Sequence, residues 1–142
     1  MARIRIHLPE HFSFSCFIPI RITDINYGGH AGNDAMLGII HEARMLFLKS
    51  LGYSELEFAG VGMIMSDVAI EFKTELFYGD IVIASVAPAE LSKIGFDLLY
   101  RLEKQTGNTT VLVAVAKTCM ICYNYQAKKI VALPQEARVK LQ

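Results

Sequence analysis

Residues 33–51 constrain the fold most, because their apolar side chains recur at helical spacing and extend beyond one face of the helix. One stripe is formed by Met36, Ile40, Ala43 and Phe47, and it is widened by Leu37, Ile39, Leu46 and Leu48. The polar remainder consists of Asp34, His41, Glu42, Arg44 and Lys49. A helix with so narrow a polar face is expected to be mostly buried.

The ends of this helix carry ordinary start and stop signals. Asn33 is suited to cap the first turn, and Asp34 suits the positive end of the helix dipole. Lys49 suits the negative end, and Gly52 is placed to terminate the helix. The sequence therefore predicts one long helix with a defined beginning and end.

Alternating apolar and polar residues predict strands on both sides of the helix. One strand precedes the helix, and four follow it: residues 12–23, 64–73, 80–87, 94–102 and 110–123. Pro19 lacks a backbone donor, which indicates an edge position or a bulge in the first strand. Residues 104–108 are predicted to form a hairpin loop, and Pro134 to begin a short terminal helix.

Short turns between the last four strands indicate antiparallel neighbours. An almost wholly apolar helix must be wrapped by such a sheet rather than lie on its surface. The predicted class is α+β, with a curved antiparallel sheet of about five strands around one central helix. At 142 residues and 53% hydrophobic content, residues 1–142 are expected to form a single domain with a substantial core.

Charge and hydropathy narrow the classes of function. Fourteen basic and fourteen acidic side chains give zero formal charge, which disfavours binding to nucleic acid or to an anionic membrane. No apolar stretch follows the basic N-terminus and none reaches membrane-spanning length, so a cytoplasmic protein is expected. A mean hydropathy of +0.35 is high for a small monomer and predicts a homodimer or homotetramer.

The three cysteines do not suggest a disulfide framework, because their number is odd and no secretory signal is present. Cys119 and Cys122 match the C-x-x-C spacing, but they lie in a predicted strand, where residues three apart point to opposite faces. No second pair follows at a spacing typical of zinc sites. A metal or redox site is therefore not expected.

Residues 23–33 concentrate polar and glycine residues between the first strand and the helix. Three glycines fall within five positions, namely Gly28, Gly29 and Gly32, and allow sharp turns and close approach to a ligand. An acid, a histidine and two amides share this stretch. Such a loop is either a reaction site or a polar cap for the helix.

The loop resembles that of hotdog-fold acyl-CoA thioesterases related to 4-hydroxybenzoyl-CoA thioesterase. Those proteins often carry Asp-Thr-Asp-x-x-Gly-His-x-Asn-Asn, followed by a helix with Glu-Ala-Arg. Here residues 24–33 read Asp-Ile-Asn-Tyr-Gly-Gly-His-Ala-Gly-Asn, with matching positions at Gly29, His30, Asn33, Glu42 and Arg44. Phe77-Tyr78-Gly79-Asp80 also resembles a family turn. The resemblance implies a hotdog fold and an acyl-CoA thioesterase with no cofactor, coenzyme A being part of the substrate.

One departure bears on the chemistry. The family's usual catalytic aspartate corresponds to Asn26, and an amide cannot supply the required carboxylate. The candidates to replace it are Asp24, which shares a strand face with Asn26 if the strand continues, Glu42 on the helix, and Asp67 on the next strand. Asn26 itself could orient a water molecule. Each candidate acid also has a structural interpretation, such as an Asx-turn for Asp24 or a surface ion pair for Glu42.

Hydrogen-bond donors for a developing oxyanion are expected from the backbone amides of residues 32–34, at the start of the helix. The predicted substrate-binding residues are Gly29, His30, Gly32, Asn33 and Asp34. His30 and Asn33 could equally serve to hold the loop and cap the helix. Basic residues available to the phosphates of coenzyme A are Lys73, Lys93, Arg101, Lys117, Lys128 and Lys129.

Two other functions stay open at this point. A silent binding protein would retain the pocket and lack the carboxylate at Asn26. A dehydratase is less favoured, because the loop has no clear Asp/His pair at the spacing which that chemistry uses.

Overall fold

The elements follow one another in the predicted order: first a strand, then a long helix, and then a run of strands. The computed structural model describes residues 1–142. The elements are β1 (Phe14–Pro19), α1 (Asn33–Ser50), β2 (Gly62–Phe72), β3 (Ile81–Ala89), β4 (Gly95–Thr106), β5 (Thr109–Asn124), β6 (Lys129–Ile130) and α2 (Gln135–Leu141). Neither helix is long and apolar enough to cross a membrane.

The sheet has six strands in the order β1-β3-β4-β5-β2, with the short β6 paired to β5. All of its pairings are antiparallel. β1 lies at one edge, as expected from Pro19, and β2 lies at the other. The loop predicted at residues 104–108 is shorter than expected, because β4 and β5 are joined by only Gly107 and Asn108, with Gly107 at φ +64°.

α1 packs against the sheet and forms one core with β3, β4 and β5. Its buried residues are Met36, Ile39, Ile40, Ala43, Arg44, Phe47 and Leu48. On the sheet side, alternate residues of β4 face this core: Phe96, Leu98, Tyr100 and Leu102. Each large apolar side chain buried here contributes roughly 1.5–3 kcal/mol. The α+β architecture and the hotdog fold implied by the resemblance are confirmed.

The helix is less enclosed than predicted. One face of α1 remains exposed along its length, and it includes Leu37, Gly38, His41 and Glu42. Arg44, which the helical pattern assigned to the polar face, is only 5% exposed. The sheet of a single chain therefore covers one side of α1 and leaves the other free.

The boundaries of β1 and α1 differ from the predicted ones. β1 ends at Pro19, and Ile22–Asp24 form a 3-10 turn although the apolar alternation continues through them. The N-cap of α1 is Gly32 rather than Asn33, and no side chain caps the first turn. Gly52, at φ +86°, ends the helix as predicted, with the Tyr53 amide donating to the Leu48 carbonyl at 2.9 Å.

Cys119 and Cys122 both lie on β5 as predicted, and neither forms a disulfide. Cys122 is buried in the core, where burial raises its thiol pKa to about 11. Cys119 is half-buried and lies opposite Asp67 of β2 in the sheet register. The two residues therefore occupy different environments on the strand.

Gly95 marks the closest approach between β4 and β5. A Cβ atom at this position would overlap the carbonyl oxygen of Met120 and lie 3.1 Å from the Cα of Ile121. Both neighbours are backbone atoms of a central strand and have little freedom to move. Only glycine fits there.

We expect Gly95→Ala to lower the free energy of unfolding by about 2–3 kcal/mol, the usual cost of overpacking in a core. The urea midpoint of the purified variant measures this loss, with an unchanged slope showing that unfolding remains two-state. A midpoint equal to that of the wild type would contradict the close approach of the two strands.

Candidate active site

The loop between β1 and α1 folds into a tight hairpin around Asn26. The Gly29 amide donates to the Asn26 carbonyl at 3.1 Å, and the Asn26 amide donates to the His30 carbonyl at 2.9 Å. The side-chain oxygen of Asn26 accepts the Gly28 amide at 2.8 Å, which is an Asx-turn. Gly29 sits at φ +85°, which favours glycine. Asn26 is therefore the residue that builds this turn.

The hairpin is tied to the turn that precedes β3. The Ala31 amide donates to the Leu76 carbonyl at 2.8 Å, so the base of the loop is held by a backbone hydrogen bond. His30 lies beside this contact, with Nδ1 at 3.2 Å from the Ala31 carbonyl and Nε2 at 3.8 Å from Glu75 Oε1. His30 thus joins the loop to the neighbouring turn and leaves its ring half-exposed.

Lys104 holds that neighbouring turn in place. Its ammonium, only 9% exposed, donates to the Glu75 carbonyl at 2.7 Å and to Asp80 Oδ2 at 2.9 Å. It also lies 5.1 Å from the centre of the Phe77 ring. Sequence reasoning placed Lys104 in an exposed hairpin loop and missed this role, because its partners lie 24 and 29 residues away. We call this arrangement of Lys104, Glu75 and Asp80 the lysine clamp.

The first amides of α1 are exposed beside the hairpin. The Gly32 amide donates to the Asp24 carbonyl at 3.2 Å and is therefore not free. The amides of Asn33 and Asp34 have no partner in the chain, as expected for the first turn of a helix. Of the predicted donors, residues 32–34, only Asn33 and Asp34 therefore have amides that are available to a ligand oxygen.

Asn26 and Asp34 converge on Gly32. From the point where a Cβ of Gly32 would stand, Asp34 Oδ1 lies at 2.6 Å and Asn26 Nδ2 at 3.5 Å. The absence of a side chain at Gly32 therefore leaves room for an amide and a carboxylate at the start of the helix. These residues and the free amides form a polar corner at one end of the core.

Four predicted substrate-binding residues gather at this corner, and two of them line a common pocket. A pocket of about 180 Å³ is bordered by His30, Asn33, Lys73 and Glu75, with apolar walls from Met36 and Phe72. Gly32 and Asp34 adjoin it at the first turn of α1. Gly29 lies at the tip of the hairpin, and nothing else lies within 4 Å of its Cβ position.

Asp24 has a structural partner and is not on a strand with Asn26. Its carboxylate accepts the Arg21 amide at 2.8 Å and lies 3.5 Å from the Arg21 guanidinium. Because residues 22–24 form a 3-10 turn, the expectation that Asp24 and Asn26 share one strand face is wrong. Asp24 instead lines a pocket of about 390 Å³ between β1 and α1.

Glu42 lines the same pocket from the exposed face of α1. It has no hydrogen-bond or ion-pair partner in the chain, so its carboxylate is available. Burial chiefly, and then the charge of Glu42, raise the pKa of Cys16 on β1. Glu42 lies ten residues beyond Gly32, about 15 Å along the helix axis, and therefore does not reach the free amides of its own chain.

Asp67 lies on the edge strand β2, away from the hairpin. It accepts a hydrogen bond from Lys117 Nζ at 2.9 Å, and this bond is the main cause of the raised Lys117 pKa. Asp67 borders neither of the two pockets next to the loop. The structure therefore brings Asp24 and Glu42 together and leaves Asp67 apart.

Comparisons with known proteins agree on one family. The sequence model of the thioesterase-like superfamily matches residues 20–141. A protein of Aquifex aeolicus (strain VF5), provisionally named an esterase, is 32% identical over 110 residues, which cover 70% of this chain and 81% of that protein.

Solved structures show the same fold. A 1,4-dihydroxy-2-naphthoyl-CoA thioesterase from Synechocystis superposes with a TM-score of 0.79 at 20% identity, over 90% of this chain and 94% of that one. An Asp-to-Asn mutant of 4-hydroxybenzoyl-CoA thioesterase, complexed with 4-hydroxybenzoyl-CoA, gives a TM-score of 0.82 at 14% identity, over 91% and 98% of the two chains.

The lysine clamp predicts how stability depends on pH. Partial burial acts to raise the pKa of Asp80, but the Phe77 amide and the Lys104 ammonium outweigh it, so the pKa is lower than usual. A lowered pKa in the folded state stabilises the protein above the unfolded-state pKa, about 3.9, and this stabilisation is lost as pH falls through the folded-state pKa. Asp80→Asn should therefore be less stable than the wild type at pH 7, and the difference should shrink below about pH 4.

Urea midpoints of both proteins between pH 7 and pH 3 measure that difference. Glu10→Gln is the matched control, since Glu10 is exposed and has no partner in the chain. A gap between Asp80→Asn and wild type that stays constant over the whole pH range would rule out the ion pair as the source of stability.

Proposed function

Because the chain belongs to the thioesterase-like superfamily, we propose that it hydrolyses acyl-CoA thioesters to a free acid and coenzyme A. The observation that carries this proposal is the pair of unpartnered amides at Asn33 and Asp34, at the start of a long buried helix and beside a pocket. Aromatic and aliphatic acyl groups are both candidate substrates, and the aromatic class is supported by structural neighbours that act on 1,4-dihydroxy-2-naphthoyl-CoA and gentisyl-CoA.

In this mechanism the free amides bind the thioester oxygen. Attack of water on the carbonyl carbon places negative charge on that oxygen, and the two N–H groups together with the positive end of the helix dipole stabilise it. The base removes a proton from the attacking water, the C–S bond then breaks, and the departing coenzyme A thiolate takes up that proton. Asn26 holds the hairpin that positions the first turn of α1, so its amide contributes through geometry rather than as a base.

The base in this proposal is Glu42 of a second copy of the chain. Glu42 is an unpaired carboxylate on the exposed face of α1, but it is about 12–14 Å along the axis from the free amides of its own helix. In a two-fold dimer whose antiparallel α1 helices cross near Gly38, Glu42 of one helix faces the first turn of the other, because residue 38 is midway between residues 34 and 42. Each active site then combines the amides of one protomer with the carboxylate of its partner.

Exposed apolar residues support a homodimer of this kind. Leu37 on α1 and Met65, Val68 and Phe72 on β2 are 37–54% exposed, and they lie on the open side of the helix and the neighbouring sheet edge. The edge of β2 has no strand partner beyond β5. Association would cover the unpaired edge and place the apolar residues next to it at the dimer interface, where the shared active site also lies.

The first experiment measures thiol release from short, medium and long aliphatic acyl-CoAs and from aromatic acyl-CoAs. It also compares Asn33→Pro with Asn33→Ala. Proline removes the amide hydrogen and is tolerated at the first helical position, and Gly32, at φ −75° and ψ 165°, already has the conformation that a following proline requires. Alanine removes the same side chain but keeps the amide.

We expect Asn33→Pro to lower kcat by about 10²–10³, the usual effect of losing one oxyanion donor, and Asn33→Ala to lower it much less. Equal losses in the two variants would contradict the role of the amide. Binding of acyl-CoA without turnover, with hydrolysis gained in Asn26→Asp, would show a silent binding protein instead. Asp in that variant still accepts the Gly28 amide, so the turn is retained.

The shared site predicts complementation between two inactive variants. Glu42→Gln should lose the base, and Asn33→Pro should lose the donor, so that each homodimer is inactive. A refolded equimolar mixture should recover about a quarter of wild-type activity, because half of the dimers are mixed and each mixed dimer has one intact site. Activity that stays at the level of the separate variants would contradict a site built from two protomers.

A further inference from the structure

A third pocket lies between α1 and the edge strand β2, and two polar side chains lie at its buried end. Its volume is about 240 Å³, and its walls include Leu37, Ile40, Met65 and Val68. His41 lies with the exposed apolar residues at its mouth, whereas Arg44 and Thr118 are 5% and 0% exposed. A mostly apolar pocket with a few placed polar groups is typical of a site for a small organic ligand.

The inner end has more hydrogen-bond donors than acceptors. The Arg44 guanidinium carries five N–H groups, but its single hydrogen bond is a long one to the Tyr100 hydroxyl, at 3.4 Å. Arg44 Nε is buried without a hydrogen bond, although Glu55 Oε1 lies 3.5 Å away. That carboxylate oxygen is already bound by His41 Nε2 at 2.6 Å. Glu55 therefore balances the charge of the guanidinium, but the N–H groups of Arg44 are not all hydrogen-bonded.

Thr118 adds a further donor. Tyr100, kept neutral by a pKa that burial raises, accepts from Arg44 and lies 2.8 Å from the Thr118 hydroxyl. Either hydroxyl can be the donor in this bond, because accepting from Arg44 leaves the Tyr100 oxygen able to accept again. When Tyr100 donates to Thr118, the hydroxyl hydrogen of Thr118 is free to donate to an oxygen in the pocket.

We propose that this pocket receives the far end of the acyl group, and that Arg44 and Thr118 bind a neutral hydroxyl or keto oxygen carried there. The inference rests on the proposed thioesterase function. A neutral oxygen is favoured over a carboxylate, because Glu55 already balances the charge of Arg44 and a second buried anion would be unpaired. The apolar walls suit the carbon skeleton between this oxygen and the thioester.

The position of the pocket fits the shared active site. Gly38 lines both this pocket and the larger one that holds Glu42, so the two adjoin across the exposed face of α1. A thioester bound at the amides of one protomer and approached by Glu42 of the other would therefore lie close to the pocket mouth of that second protomer. The acyl group can then pass over Gly38, which presents no side chain.

The test uses substrate pairs that differ by one oxygen. We would measure kcat/KM for 6-hydroxyhexanoyl-CoA against hexanoyl-CoA and for 4-hydroxybenzoyl-CoA against benzoyl-CoA, which distinguishes aliphatic from aromatic skeletons. Wild type should prefer the oxygenated member of at least one pair by about tenfold, the upper end of what one ordinary hydrogen bond contributes. Thr118→Val keeps Arg44 and should lower this ratio several-fold, whereas Thr118→Ser, which keeps the hydroxyl, should retain it.

Thr110→Val is the matched control, because Thr110 lies on the same strand outside the pocket and bonds only to Gln105. Its ratio should equal that of the wild type. Hydrolysis of both members at equal rates in the wild type would overturn this inference and leave the proposed function standing.

If none of the four thioesters is hydrolysed, the proposed function fails. The oxygen site in the pocket is then tested separately, by measuring the binding of the free acids. Calorimetry then compares 6-hydroxyhexanoate with hexanoate and 4-hydroxybenzoate with benzoate. Tighter binding of an oxygenated acid to the wild type, reduced in Thr118→Val and kept in Thr118→Ser, would support the oxygen site. Equal affinities within each pair would overturn it.

Discussion

The burial of one side of α1 against the sheet is the constraint on which the other features depend. That packing fixes where the helix begins, and the first turn at Asn33 is where unpartnered amides become available. The connection from β1, residues 20–32, reaches this point through a 3-10 turn at Ile22–Asp24 and a tight turn that Asn26 and Gly29 form. The candidate site is therefore a consequence of how the helix enters the core.

The same packing explains why the proposed chemistry needs a second chain. A helix covered on one side leaves its other face open, and Glu42 lies on that open face beside a pocket. A rigid helix cannot bring this carboxylate to the free amides of its own first turn, since the separation along the axis is about 12–14 Å. Two-fold symmetry provides the missing contact without any change in the fold.

Local sequence was sufficient for three features: periodicity predicted the order of elements, Gly52 predicted the end of α1, and Pro19 indicated an edge position or a bulge, of which β1 shows the edge position. It was insufficient where the partner is distant in sequence. Arg44 is buried because Tyr100 and Glu55 come from other segments, and Lys104 is buried because Asp80 and Glu75 are brought to it by the sheet. No helical or strand pattern carries that information.

The candidate site was likewise predicted in part from the sequence and in part only from the structure. The resemblance located the loop and its glycines, and the structure gathers His30, Asn33 and Asp34 at one corner. The expected strand geometry of Asp24 failed, because Ile22–Asp24 turn as a 3-10 helix once the Asp24 carboxylate accepts the Arg21 amide. Three hydrogen bonds within residues 21–25 hold this turn, and the apolar alternation of the preceding strand did not predict them.

The most direct test of the account is whether a thioester oxygen binds the first amides of α1. A hexanoyl-CoA analogue in which CH₂ replaces the sulfur retains the carbonyl and cannot be hydrolysed, and its titration into ¹⁵N-labelled protein can be followed residue by residue. The account predicts that the amide protons of Asn33 and Asp34 shift downfield, with a much smaller shift at Gly32, whose amide already donates to Asp24. Saturable binding that leaves the Asn33 and Asp34 signals unmoved would contradict it.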